Sequence, residues 1–258
     1  MSALVIAKLR SPVVLVHGLL GFGRVQVAGR TVATYFPGID RALEEAGNRI
    51  LVPSLSPTGG TADRAQQLRD FLLQHSPNEP VHLLAHSMGG LDSRYMISKL
   101  GMADHVLTLT TLGTPHRGTA FADWGIQRLE RLVKPVLDFL CMPTQAFYDL
   151  TRAKCATFNS DVADAPKVRY FSVAGRHDGT FYNPEWLLPY SIVKQAEGEN
   201  DGIVSVESAR YGEELEVWEG DHLSLVNWLH PLGTHRGLWR DPRPRYAKIM
   251  RRLADLGY

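Results

Sequence analysis

The sequence predicts an α/β fold, with a mostly parallel central sheet and helices on both faces. Two observations carry this. Apolar runs and helix-period segments alternate over the first 111 residues, reading strand, helix, strand, helix, strand, helix, strand. The apolar runs are continuous, as in strands covered on both sides. A chain of 258 residues with 44% hydrophobic and 21% charged content can bury one large core. We therefore expect a single domain over residues 1–258.

Each element has its own warrant. Pro12 to Val16 is a short apolar run, read as a buried strand. Phe36, Ile39, Leu43 and Ala46 fall at helical spacing, and Gly47 ends that helix. Ile50-Leu51-Val52 reads as a second strand, followed by a turn-rich loop from Pro53 to Gly60. Thr61 is the expected N-cap of a helix carrying Ala65, Leu68 and Leu72. After a turn at Asn78-Glu79-Pro80 comes the apolar run beginning at Val81, then a helical pattern from Met88 to about Leu100 with Gly101 as its stop. His105 to Thr111, Val168 to Ala174 and Leu215 to Trp218 are further strands. Gly175 to Glu199 reads as a loop. Tyr246, Ile249, Met250 and Leu253 mark a C-terminal helix, and the arginines from 236 to 252 read as a solvated face.

The totals exclude several roles. A formal net charge of +1 creates no global field for nucleic acid. No run approaches the roughly 18 apolar residues that a membrane span needs. The start, MSALVIAKLRSP, lacks the pattern of a secretory signal, which favours the cytoplasm unless a leader has been trimmed away. Cys141 and Cys155 fit no zinc spacing and establish no oxidising compartment.

The chemistry centres on Val81-His82-Leu83-Leu84-Ala85-His86-Ser87-Met88-Gly89-Gly90. A strand, a sharp turn holding a serine and then a helix form a nucleophile elbow. The turn strains Ser87 and lifts its hydroxyl from the sheet edge. Small neighbours let strand and helix approach, here Gly89 and Ala85, where the usual G-x-S-x-G pattern has glycine. An alcohol needs a base to remove its proton during attack, and imidazole, with an ordinary pKa near 6.5, suits that task. A carboxylate must then hold the imidazole. In such folds the order along the chain is Ser, acid, His. His222, just after the last strand, is the candidate base. Asp201, in an Asn-Asp-Gly turn, and Asp178, close behind a strand, are equal candidates for the acid on spacing alone. Asp221 adjoins His222 and would point elsewhere. Near the N-terminus, His17-Gly18-Leu19-Leu20-Gly21-Phe22-Gly23 offers either a phosphate-cradling loop or half of an oxyanion hole. The glycine order is wrong for G-x-G-x-x-G, which favours the oxyanion reading with Leu19 N–H as donor.

Together, His17-Gly18-Leu19-Leu20-Gly21-Phe22, the elbow, Gly113-Thr114-Pro115-His116-Arg117-Gly118, Asn200-Asp201-Gly202 and Asp221-His222-Leu223 resemble the bacterial triacylglycerol lipases of the α/β-hydrolase superfamily. The resemblance runs from Pro12 to Asn227 with the motifs in order. It implies the α/β-hydrolase fold and a Ser87, His222, Asp201 triad, because the family's acid lies in an Asn-Asp-Gly turn. It implies Leu19 and Met88 as oxyanion-hole donors. It also implies an acyl-enzyme lipase acting on acylglycerols at a lipid–water interface, with an esterase of short soluble esters or an acyltransferase as alternatives. The apolar positions from Phe121 to Leu140, kinked at Pro135 and stopped at Pro143, read either as a core helix pair or as a lid within an insertion at about residues 119–160. Many relatives hold a structural calcium through an aspartate two residues after the histidine. Ser224 stands there, and Trp228 replaces a further polar ligand, so no metal or other cofactor is expected. The family's disulfide, where present, lies near the acid, so it does not transfer to Cys141 and Cys155.

Overall fold

A computed structural model of the chain describes residues 4–27, 30–132, 145–177, 187–228 and 241–258. Six strands form the main sheet: β1 (Val13–Val16), β4 (Ile50–Leu51), β5 (Val81–His86), β6 (Val106–Leu112), β7 (Arg169–Arg176) and β8 (Leu215–Glu219). Their order is β4-β1-β5-β6-β7-β8, and every neighbouring pair is parallel. Every residue of β1 and of β5 is buried, as continuous apolar strands inside a covered sheet must be. Successive residues feed opposite layers. Val13, Leu15 and Leu84 join one core with Phe36, Leu43, Tyr246 and Met250. Val14, Val16, Leu83 and Ala85 join the other with Ala65, Leu68 and Leu72.

The helices that form these layers are α1 (Ile39–Glu45), α2 (Thr61–His75), α3 (Met88–Lys99) and α9 (Arg243–Asp255). Between β6 and β7 lie α4 (Ala120–Leu132), α5 (Gln145–Asp149) and α6 (Arg152–Asp161); α7 (Leu187–Glu197) and α8 (Val206–Ala209) separate β7 from β8. None of the described helices is long and apolar enough to cross a membrane. Because all six strands run the same way, their C-terminal ends share one edge. His17, Ser87, Gly113, His177 and the turn to His222 all emerge there, where open α/β sheets place their ligands.

The structure departs from the sequence reading at several points. An antiparallel hairpin, β2 (Arg24–Val27) with β3 (Arg30–Thr34), occupies a stretch to which no element was assigned. Gly60 rather than Thr61 is the N-cap of α2; Thr61 is already helical and donates its N–H to Asp149 Oδ2 at 2.8 Å. The expected 175–199 loop contains α7, whose Pro189 falls in the first turn, where its missing N–H costs nothing. Of the arginine face, Arg243 and Arg251 are exposed. Arg245 and Arg252 instead lie over the rings of Trp218 and Phe171, at 5.4 and 4.1 Å. The region expected to run helically from 121 to 140 is described only as far as Leu132, so Pro135, Cys141 and Pro143 lie outside the described residues.

Candidate active site

Ser87 has φ 54° and ψ −130°, a left-handed conformation that costs a non-glycine residue about 1–3 kcal/mol. Its surroundings impose it. Ser87 N–H donates to Leu112 O at 2.8 Å, and Ser87 O accepts from Thr114 Oγ1 at 2.7 Å and Gly90 N–H at 3.1 Å. The small residues of the motif have a measurable cause. A Cβ on Gly89 would lie 2.8 Å from His17 O, and one on Gly18 would lie 2.7 Å from Ser87 Cβ. The Gly18–Leu19 turn therefore presses directly on the elbow. Among the described residues, neither Leu19 N–H nor Met88 N–H donates to a protein acceptor, which leaves both free for a ligand.

Asp201 and His222, the expected acid and base, meet on the same edge. His222 Nδ1 lies 2.7 Å from Asp201 Oδ2, with Asp201 fully buried and His222 nearly so. Asp201 Oδ1 accepts N–H bonds from Ile203 at 3.0 Å and Val204 at 2.8 Å, and His222 N–H donates to Asp201 O at 2.8 Å. A carboxylate that accepts on both oxygens receives the Nδ1–H of His222, so Nε2 is the bare nitrogen. Gly113 opens the space for this pair: a Cβ there would lie 3.0 Å from Asp201 Oδ2 and 3.1 Å from His222 Nδ1. The His222 ring sits 4.5 Å from that of His86, the residue before Ser87. Ser87 Oγ and His222 Nε2 share this edge without a direct hydrogen bond, a contact that commonly tightens only when substrate is present. Asp221 accepts Ser224 N–H at 2.7 Å. The competing acid Asp178 lies outside the described residues.

Two supports were not legible in the sequence. The loop after β4 grips the Gly18–Leu19 turn, with Leu55 N–H donating to His17 Nε2 at 2.9 Å and Leu20 N–H donating to Pro57 O at 2.7 Å. Buried Arg64 then donates to His17 O at 2.7 Å, to Ser56 O at 2.6 Å and to Asp92 Oδ2 at 2.8 Å. Burial, with the Arg64 charge beside it, holds His17 down at a pKa of about 4, so it stays neutral and its Nδ1–H donates to Gly18 O at 2.9 Å. The second support is Tyr35, whose hydroxyl lies 2.9 Å from His86 Nδ1. Ser224 and Trp228 make protein contacts: Ser224 Oγ donates to Asp221 O, and Trp228 Nε1 to Tyr35 O. Among the described residues, no three His, Cys, Asp or Glu side chains are grouped to hold a metal.

Over this edge lies an apolar cluster of Met88, Leu91, Ala146, Leu150 and Cys155, with Leu19 and Ala122 packed on it. Leu20, at 63% exposure, and Leu187, Leu188 and Trp228 leave apolar surface open to solvent.

Residues 11–134 match the family model described as the alpha/beta hydrolase fold. A triacylglycerol lipase of Vibrio cholerae is 38% identical, over 96% of this chain and 89% of its own. Triacylglycerol lipase 2 of Saccharomyces cerevisiae is 33% identical over 77% of this chain, which spans 64% of the yeast protein. The mature form of a Bacillus licheniformis lipase superposes with a TM-score of 0.66 at 26% identity, covering 88% of this chain and 91% of its own. A full-length relative at that identity carries the assignment where the family model alone covers less than half: the chain belongs to the lipases of the α/β-hydrolase superfamily.

Proposed function

We propose that this chain hydrolyses the carboxylic-ester bonds of acylglycerols through an acyl-enzyme formed on Ser87. Ser87 Oγ attacks the acyl carbonyl carbon as its proton passes to His222 Nε2. The tetrahedral oxyanion is held by the N–H groups of Leu19 and Met88, each worth about 3 kcal/mol of transition-state stabilisation. The carbon–oxygen bond to the alcohol then breaks, and the alcohol leaves with the proton from Nε2. A water molecule, deprotonated by His222, releases the fatty acid and restores Ser87. Asp201 holds the imidazole and offsets its charge throughout. The mechanism draws on these residues alone, without calcium.

The observation that carries this reading is the 2.7 Å His222–Asp201 contact beside a serine held in strained backbone. The apolar skin around the edge and the half-buried Phe121 and Trp124 of α4 favour a lipid substrate. We read α4, within the insertion expected at about 119–160, as a movable cover of the site. Initial rates on tributyrin and a long-chain triglyceride, followed through the solubility limit, test it. A rate that rises as droplets form and is abolished in Ser87→Ala supports the reading. Saturation below that limit, with long chains refused, makes the enzyme an esterase of soluble esters. Hydrolysis retained by Ser87→Ala removes the mechanism altogether.

A further inference from the structure

His222 is anchored at three atoms. Its N–H and its Nδ1 both go to Asp201, at 2.8 and 2.7 Å. These two bonds fix the base relative to the acid and say nothing of its position relative to the nucleophile. The third anchor does. His222 O lies 2.9 Å from Nε2 of His86, the last residue of β5 and the immediate neighbour of Ser87.

The proton order in this contact follows from chemistry. A carbonyl oxygen can only accept, so His86 Nε2 carries the hydrogen. His86 is fully buried, and burial, together with the neighbouring His222 and His17, holds its pKa well below the ordinary value, so the ring is neutral. Its Nδ1 is therefore an acceptor, and the Tyr35 hydroxyl donates to it at 2.9 Å. Tyr35 keeps that proton: burial pushes its phenol up to about 12. The same phenol abuts the oxyanion turn, since a Cβ on Gly18 would lie 3.2 Å from Tyr35 Oη.

Tyr35 also holds the far end of the histidine loop. Its carbonyl accepts from Trp228 Nε1 at 2.8 Å, and two residues on, Pro37 O accepts from Asn227 Nδ2 at 2.6 Å. The loop from His222 to Trp228 is thus bonded at its start to His86 and at its end to Tyr35, and the Tyr35–His86 bond closes the ring. Mutual satisfaction of buried polar groups would explain a Tyr–His pair anywhere in the core. It does not explain a ring that starts beside the nucleophile, ends on the main chain of the base and touches the oxyanion turn on the way.

We propose that Tyr35 and His86 are positioning residues that set the distance between Ser87 and His222 by holding the main chain of His222. The inference rests on the triad reading above. Neither residue exchanges a proton with substrate. Their effect is geometric, and small misplacements of a base are costly in rate.

The test uses a soluble p-nitrophenyl ester, with kcat expressed per site labelled by a p-nitrophenyl phosphonate, so that unfolded molecules are not counted. His86→Leu removes both bonds and is expected to lower kcat about tenfold while KM stays within about twofold. Tyr35→Phe keeps the tilted and edge-on ring contacts and removes one donor, for an expected loss of about three- to fivefold. His86→Gln can still offer an N–H towards His222 O and should recover most of the loss, which a role in packing alone would not produce. An unchanged kcat per labelled site in His86→Leu overturns the proposal, as does a Gln variant no better than Leu. Ser87→Ala separates the two levels. If it is inactive while His86→Leu is normal, only the positioning role fails; if it retains hydrolysis, the triad reading fails first.

Discussion

Falling pH should remove the stability that this protein gains from histidines buried in the neutral form. Burial holds His17 and His82 at pKa values of about 4, and holds His86 and His116 well below the ordinary range. In the unfolded chain each titrates near 6.5. A group whose folded pKa is depressed favours the native state above the unfolded pKa, and that advantage is lost as pH falls through the window from 6.5 to 4. For one histidine with a folded value of about 4, lowering the pH from 7 to 5 removes about 2 kcal/mol. The other buried histidines act in the same direction, whereas buried Asp92, whose carboxyl burial raises to about 7, opposes them over the same range, so the effect is read at one histidine. His82 isolates one share. It is fully buried at the far end of β5 from Ser87, with Nδ1 2.9 Å from Thr108 Oγ1. His82→Asn keeps a polar partner for Thr108 but cannot titrate. Urea unfolding at pH 7 and pH 5 should show the variant losing about 2 kcal/mol less than the wild type between the two. Equal losses in both proteins would refute this reasoning.

Three further outcomes follow from the site. Gly113→Ala places a methyl about 3 Å from both Asp201 and His222 on a backbone with φ +57°, so ester hydrolysis should fall by at least about a hundredfold while the circular-dichroism spectrum persists. Asp201→Asn leaves the shape intact but removes the charge and favours the wrong imidazole tautomer; kcat at pH 7 should drop about 10³–10⁴-fold. Because Ser224 and Trp228 replace the expected calcium ligands and are bonded within the protein, dialysis against EDTA should change neither initial rate nor thermal midpoint.

Much of the fold is legible in the sequence because buried parallel strands leave continuous apolar runs, and turns leave glycines where the backbone needs them. Gly47 and Gly101 end their helices with φ of +86° and +72°, where a side chain would be strained. The hairpin was readable too: Val25 and Val27 alternate with polar residues in β2, a period-2 signal in a stretch only four residues long. Asp201 illustrates the limit. Spacing left it level with Asp178, the resemblance favoured it through the Asn-Asp-Gly turn, and its buried carboxylate lies 2.7 Å from His222 Nδ1, while Asp178 lies outside the described residues. Tyr35 and Arg64 carry no local signal whatever. One lies just past a hairpin and the other inside an amphipathic helix; their roles exist only because distant segments converge on them.

Arg64 shows what such convergence is for. It and Asp92 form an ion pair with both side chains fully buried, an arrangement whose desolvation cost commonly matches or exceeds its attraction. Among the described residues Asp92 Oδ1 has no hydrogen-bond partner, so the pair is not optimised for stability either. What the arginine alone supplies is reach. From α2 it touches α3, the helix that begins after the nucleophile, and with its two remaining nitrogens it holds the carbonyls of His17 and Ser56. A leucine–methionine pair could fill the same volume, but it could not fix a carbonyl one peptide before the Leu19 turn. The opposite side is held in the same manner, by Tyr35 and His86 rather than by a charge pair. The reacting edge is thus set by polar contacts from both layers. Polar contacts carry direction, which apolar packing lacks, and an oxyanion donor or a general base is useful only when its direction is correct.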